Sequence, residues 1–142
     1  MVQLIVGNKG KGKTKHLLEK VNAQVQESSG NIVYLDKSAK HMYELNNKVR
    51  LIDLSLYNVG NSDEFIGFIK GILSQDHDLQ QVYLDSFLSL AGLEEGKADG
   101  LDPVVEKLEK MGETFGLDFI LSVGCNEAQL SEGLKEKVIV SL

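Results

Sequence analysis

The sequence predicts an α/β fold in which one mainly parallel sheet of about six strands carries helices on both faces. Short, near-continuous apolar runs such as NIVYL and DFILSV recur along the chain, and such runs suit strands buried on both sides. Between most of them lie stretches whose apolar residues fall at helical spacing. Helix-start and helix-stop residues stand where one kind of segment gives way to the other.

The first strand is VQLIV, Val2 to Val6. After the loop that follows it, Leu17, Leu18, Val21 and Val25 repeat at helical spacing, and Gly30 marks the stop. NIVYL (Asn31 to Leu35) and VRLIDL (Val49 to Leu54) are the next strands. In NSDEFIGFIKGIL, Asn61 and Glu64 fit a capping box, and Phe65, Ile66, Ile69, Ile72 and Leu73 share one apolar face. QVYLD (Gln81 to Asp85) is a further strand. AGLEEGKADG (Ala91 to Gly100) has three glycines and mixed charge and reads as a mobile loop, either a plain connector or a functional lid or contact loop. In LDPVVEKLEKMGETFG, Asp102 is placed as the N-cap, Pro103 at the first helical position and Gly116 at the end, with Val105, Leu108, Gly112 and Phe115 on one side. DFILSV (Asp118 to Val123) and KVIVSL (Lys137 to Leu142) complete the strands.

A chain of 142 residues suits one domain, taken as 1–142, with a full core. Apolar content of 42% and charged content of 25% are those of a soluble globular protein. No stretch has the length and apolarity of a bilayer span, and no export signal is read, so the expectation is a cytoplasmic protein with no membrane partner. The lone cysteine, Cys125, agrees with a reducing compartment. A net charge of −6 argues against nucleic acid as a partner, since that needs a basic face.

The one positive cluster is the opening loop, where GNKGKGKTK packs three glycines and four lysines into nine residues. GNKGKGKT matches G-x-x-x-x-G-K-[ST] at Gly7, Gly12, Lys13 and Thr14, and it follows a strand and opens a helix as that phosphate-binding motif requires. Glycines let the backbone curl round a phosphate, and the curled amides and the helix N-terminus point at it together. Lys13 is placed across the β- and γ-phosphates and the Thr14 hydroxyl on Mg²⁺. The nucleotide-binding set is therefore Gly7, Asn8, Lys9, Gly10, Lys11, Gly12, Lys13, Thr14 and Lys15, the last more simply read as a solvated side chain. A variant of this loop, in ATPases of the cell-division-positioning and arsenite-pump type, places an extra lysine directly after the first glycine. Here that position is Asn8.

A phosphate site also needs a carboxylate that orients the metal, at the end of another apolar strand. In QQVYLDSFLSL, Asp85 fills that role, which gives Thr14 and Asp85 as the metal residues. VYLDSFLSL, an aspartate followed by serine and an apolar stretch, resembles the Walker B segment of RecA-type recombinase ATPases. The order of elements likewise resembles the RecA-like core, which replicative hexameric helicases share. The resemblance covers most of the chain, and GNKGKGKT and VYLDS are its specific segments. It implies a three-layer P-loop NTPase sheet with RecA-like strand order, the strand before the loop central and the Asp85 strand separated from it by FILSV. It also implies ATP and Mg²⁺ as ligands. Ser122 takes a sensor-like position or is simply a satisfied strand-end serine.

Departures from that pattern bear on catalysis. Aligning NIVYLDKS on the family's acidic strand puts Ser38 where the water-activating glutamate belongs, and Ser86, not glutamate, follows Asp85. Asp36 is the nearby stand-in for a general base, so Lys13 and Asp36 are the candidate catalytic residues. Arg50, the only arginine, starts its strand and so lies away from the carboxyl ends where ligands bind. His16, His41 and His77 show no metal-ligand spacing, to each other or to Cys125. The four tyrosines read as packing, with base stacking as their alternative. The leading reading is an ATP-binding P-loop protein with Mg²⁺-dependent, weak or partner-stimulated hydrolysis. A non-hydrolysing switch, in which nucleotide orders loop 91–100 for a protein partner, and a small nucleoside or nucleotide kinase are the alternatives. ATP is favoured over GTP because no N-K-x-D motif is present.

Overall fold

The computed structural model describes residues 1–142. Six strands form one sheet: β1 (Val2–Val6), β2 (Asn31–Asp36), β3 (Arg50–Asp53), β4 (Leu79–Leu84), β5 (Asp118–Val123) and β6 (Val138–Ser141). Their order is β3-β2-β4-β5-β1-β6, and every neighbouring pair is parallel. The strand before the loop, β1, thus lies beside β5, and β5 separates it from β4, as the resemblance implied. The helices are α1 (Lys13–Glu27), α2 (Ser62–Gln75), α3 (Phe87–Leu90), α4 (Leu101–Phe115) and α5 (Glu132–Lys135). No helix is long and apolar enough to cross a membrane.

Alternation along the strands divides the core. On β1, Val2, Leu4 and Val6 face one side with Val33 and Leu35, Val82 and Leu84, and Phe119 and Leu121. Ile5, Ile32, Tyr34, Tyr83 and Ile120 face the other. The first side meets apolar residues of α2, α3 and α4 in a cluster of 29 buried residues, and the second meets Leu17, Leu18 and Val21 of α1 in a cluster of 9. Helices therefore cover both faces, one of them with α1 alone. Phe65 of α2 and Phe87 of α3 meet edge to face, with ring centroids 5.6 Å apart.

Local chemistry sets most boundaries where expected. Asn61 accepts the Glu64 N–H at 2.9 Å, while Glu64 Oε1 accepts from Gly60 N–H at 2.6 Å, one residue ahead of the usual capping box. Strand β4 begins at Leu79, and Asp85 follows its last residue. Helix α4 departs from expectation at both ends. Gly100, left-handed at φ 77°, is its N-cap, and Asp102 lies inside the first turn. Burial of Leu101 draws the start forward, and the Asp102 carboxylate accepts from Ser131 Oγ at 2.6 Å. Phe115, expected on the packed side, is 58% exposed. The chain turns at Gly116, φ 66°, and Leu117 takes the buried position instead.

Parallel register brings functional positions to one edge. Leu35 of β2 pairs with Leu84 of β4, Leu84 with Leu121 of β5, and Ser122 with Ile5 of β1. Gly7, Asp36, Asp85 and Ser122 therefore stand together at the carboxyl ends of the four inner strands, where open α/β sheets bind ligands.

Candidate functional site

The loop between β1 and α1 is shaped by two left-handed glycines, Gly10 at φ 85° and Gly12 at φ 92°. Nothing lies within 4 Å of a Cβ built on either, so it is backbone conformation rather than crowding that calls for glycine there. Gly7 serves differently. It is buried, its N–H donates to Val123 O at 3.3 Å, and a Cβ on it would sit 3.0 Å from Leu142 Cβ. Lys13 folds back over the loop and donates to Asn8 O at 3.2 Å. Burial lowers its pKa, with Asp85, Glu95 and Cys125 opposing that shift.

Asp85, only 2% exposed, is held by hydroxyls from three other elements. Thr14 Oγ1 donates to its Oδ1 at 3.2 Å, Ser122 Oγ to the same oxygen at 2.7 Å, and Tyr34 OH to Oδ2 at 2.8 Å. Ser122 Oγ also accepts the Ser86 N–H at 2.8 Å. That contact ties down the turn after Asp85, where Ser86 is left-handed at φ 57°. Ser122 is thus both satisfied and in direct contact with the Asp85 carboxylate.

These groups open onto a cleft of about 790 Å³ with no apolar residue in its wall. Asn8, Lys9, Gly10, Gly12, Lys13 and Thr14 line it, together with Asp36 and Asp85. Gly7 lies beneath the loop, and the exposed Lys11 and Lys15 are not part of the wall. Asp36, at the end of β2, is 2% exposed. Its Oδ1 accepts the Lys37 N–H at 2.7 Å, while its Oδ2 has no partner. Burial raises its pKa, and the charge of Asp85 adds to the rise. The donor set fits a phosphate and a hard cation. It offers a glycine loop with open space above it, a lysine, a threonine hydroxyl against a buried carboxylate, and a buried carboxylate oxygen with an unused lone pair.

The cleft also gathers residues that spacing did not flag. Lys37, Lys40 and His41 reach it from the segment after β2, and Glu95 and Gly96 from loop 91–100. Glu95 Oε1 accepts from Ser89 Oγ at 2.8 Å, and Gly96 O accepts from Gln129 Nε2 at 3.0 Å, so the loop is tied down across the cleft mouth. Other residues are excluded by position. Arg50 pairs with Asp76 at 3.3 Å, at the opposite edge of the sheet. Tyr34 and Tyr83 stack on each other inside the core, 6.3 Å between centroids, and neither can meet a base. Cys125 is buried, and burial raises its thiol pKa against the pull of Lys13.

No protein-family profile and no curated protein sequence matches the chain. Among solved structures, it is similar to a KaiC-like protein of the hyperthermophilic archaeon Pyrococcus horikoshii OT3, with a TM-score of 0.62, 21% identity, and coverage of 95% of this chain and 67% of that one. It is also similar to the flagellar accessory protein FlaH of Methanocaldococcus jannaschii, with a TM-score of 0.59, 12% identity, and coverage of 94% and 64%. The chain therefore spans about two thirds of the length of each neighbour, and at these identities what it shares with them is the fold: a six-stranded parallel α/β sheet of RecA-like order.

Proposed function

We propose that the chain binds a nucleoside triphosphate, ATP, together with Mg²⁺, and hydrolyses it weakly or only when a partner assists. The observation that carries this reading is Thr14 of the glycine loop meeting buried Asp85 at 3.2 Å. Likeness of fold to a KaiC-like protein and to FlaH supports it at the level of architecture.

Each residue then has a physical task. Lys13 exchanges the Asn8 carbonyl for phosphate oxygens, replacing a neutral acceptor with a charged one. Backbone at Gly10 and Gly12 wraps the phosphates at no side-chain cost. Mg²⁺, when bound, would be held by Thr14 and Asp85 and would neutralise charge on the β- and γ-phosphates. Ser122 and Tyr34 keep the Asp85 carboxylate in one orientation. Asp36 accepts the proton of the attacking water through its unpaired oxygen.

Arg50, held at the far edge, favours a second reading. With no arginine in the cleft, transition-state charge is left to Lys13 and the metal, and hydrolysis is slow. In that limit the protein is a nucleotide-dependent switch, and loop 91–100, whose Glu95 lines the cleft, carries the signal to a protein partner. Single-turnover hydrolysis with protein in excess over radiolabelled ATP, beside binding of a fluorescent ATP analogue, separates the two. Binding with phosphate release that Asp36→Asn abolishes supports the ATPase. Binding with no release supports the switch, and no binding contradicts both.

A further inference from the structure

Asp36, Asp85 and His41 each offer one ligand atom, and these atoms all lie within 4.8 Å of one another. From this we infer a second cation site, beside the Thr14 position and on the β2 side of Asp85. It takes a first-row divalent cation that accepts mixed nitrogen and oxygen ligands, of the Zn²⁺ or Mn²⁺ class. It fills without nucleotide, and while a cation holds Asp36 that carboxylate is not free to take the proton of an attacking water.

The charge balance points to a missing cation. Asp36 and Asp85 are both 2% exposed. None of the ion pairs in the molecule includes either of them. Buried carboxylates are ordinarily paired with a cation or coordinate a metal. Hydrogen bonds do not make up the deficit equally. Asp85 takes three side-chain hydroxyls on its two oxygens. Asp36 Oδ2 takes nothing and is fully enclosed, a buried acceptor left over while a neighbouring carboxylate and an imidazole lie within reach.

The histidine is already oriented. Its Nδ1 lies 2.9 Å from Glu44 Oε1. A carboxylate on one ring nitrogen fixes the tautomer and leaves the other free as a ligand, an arrangement common behind metal-bound imidazoles. One imidazole with two carboxylates, opening onto a wet cleft, suits Zn²⁺ or Mn²⁺ better than the all-oxygen preference of Mg²⁺. Lys13, Lys37 and Lys40 also line the cleft, and Lys13 lies within Coulombic reach of Asp85, but none of them forms an ion pair with either carboxylate.

Co²⁺ is the probe, titrated into the nucleotide-free protein, with its d–d absorption reporting stoichiometry and nitrogen ligation. One equivalent is expected to bind. His41→Ala, on a partly exposed turn, should weaken binding at least tenfold and shift the band, Asp36→Asn at least tenfold, and Glu44→Gln roughly tenfold. His77→Ala, at an exposed turn before β4 and outside the site, should leave Co²⁺ binding intact, and circular dichroism checks that each variant is folded. Absence of Co²⁺ binding overturns the site, as does binding that His41→Ala leaves unchanged or that His77→Ala weakens as much as His41→Ala does. Because no nucleotide is present, either failure leaves the nucleotide reading standing, and a failure to bind ATP leaves this site standing.

Discussion

Asp85 receives hydroxyls from three elements, and each bond has a cost if removed. Tyr34→Phe deletes the donor to Oδ2 in a buried setting and should lower stability by about 1–3 kcal/mol, read from urea unfolding midpoints. Ser122→Ala should cost a similar amount, because it also orphans the Ser86 N–H, and it should weaken Mg²⁺-dependent nucleotide binding. Asp36 carries the opposite sign. Burial and the charge of Asp85 raise its folded pKa above the unfolded value, so the folded state holds its proton more tightly. Stability from this group is fully present below the unfolded pKa and is lost as pH rises through the folded one. Asp36→Asn should therefore be more stable than the native chain at pH 7 in metal-free buffer, with the gap closing toward pH 4. A gap that widened on acidification would show that the carboxylate is stabilising. At this scale the motif residues were legible in the sequence, because Gly7, Gly12, Lys13 and Thr14 sit at fixed spacing in one segment. His41 was not. Its neighbours in the site, Asp36 and Asp85, come from two different strands, and no linear spacing links all three.

Loop 91–100 acts at the level of the element. Left-handed glycines at 92, 96 and 100 shape it, Leu93 and Ala98 pack on the core, and Glu95 comes into the cleft wall between those anchors. Glu95 stands within Coulombic reach of Lys13 and on the side from which a triphosphate would be repelled. Glu95→Gln should strengthen ATP binding roughly two- to fivefold, an effect that shrinks at high salt. Weaker binding would mean that the carboxylate helps hold the ligand. Packing of α4 gives a separate test. A Cβ on Gly112 would lie 2.8 Å from Leu117 O and 3.0 Å from Met1 N, so Gly112→Ala should cost about 1–3 kcal/mol in thermal or urea unfolding. Helix α4 also marks where sequence reasoning reaches its limit. Gly100 and Asp102 both suit a helix start, and burial of Leu101, a tertiary fact, decides between them. Loop 91–100 was visible as irregular, but its approach to the cleft depends on Gln129, in a turn far along the chain.

Across the whole molecule, register is what converts sequence into site. Near-continuous apolar runs made a parallel sheet legible, because strands covered on both faces cannot alternate apolar with polar. Resemblance supplied only that β5 lies between β1 and β4 with β1 central; the full order β3-β2-β4-β5-β1-β6, in which β1 stands next to the edge strand β6, comes from the structure, since pairing between distant strands leaves no local mark. That order sets Gly7, Asp36, Asp85 and Ser122 at one edge and Arg50 at the other, and on this rest both the proposed phosphate site and the proposal that hydrolysis is slow. Lys13 and the glycine loop must hold a triphosphate if the proposed function is right. Calorimetric titration of Mg²⁺–ATP into the native chain and into Lys13→Ala tests this most directly. One site is expected in the native chain, weakened roughly 10- to 100-fold in the variant by loss of a charged hydrogen bond to phosphate. No binding by the native chain, or equal binding by both, would contradict it.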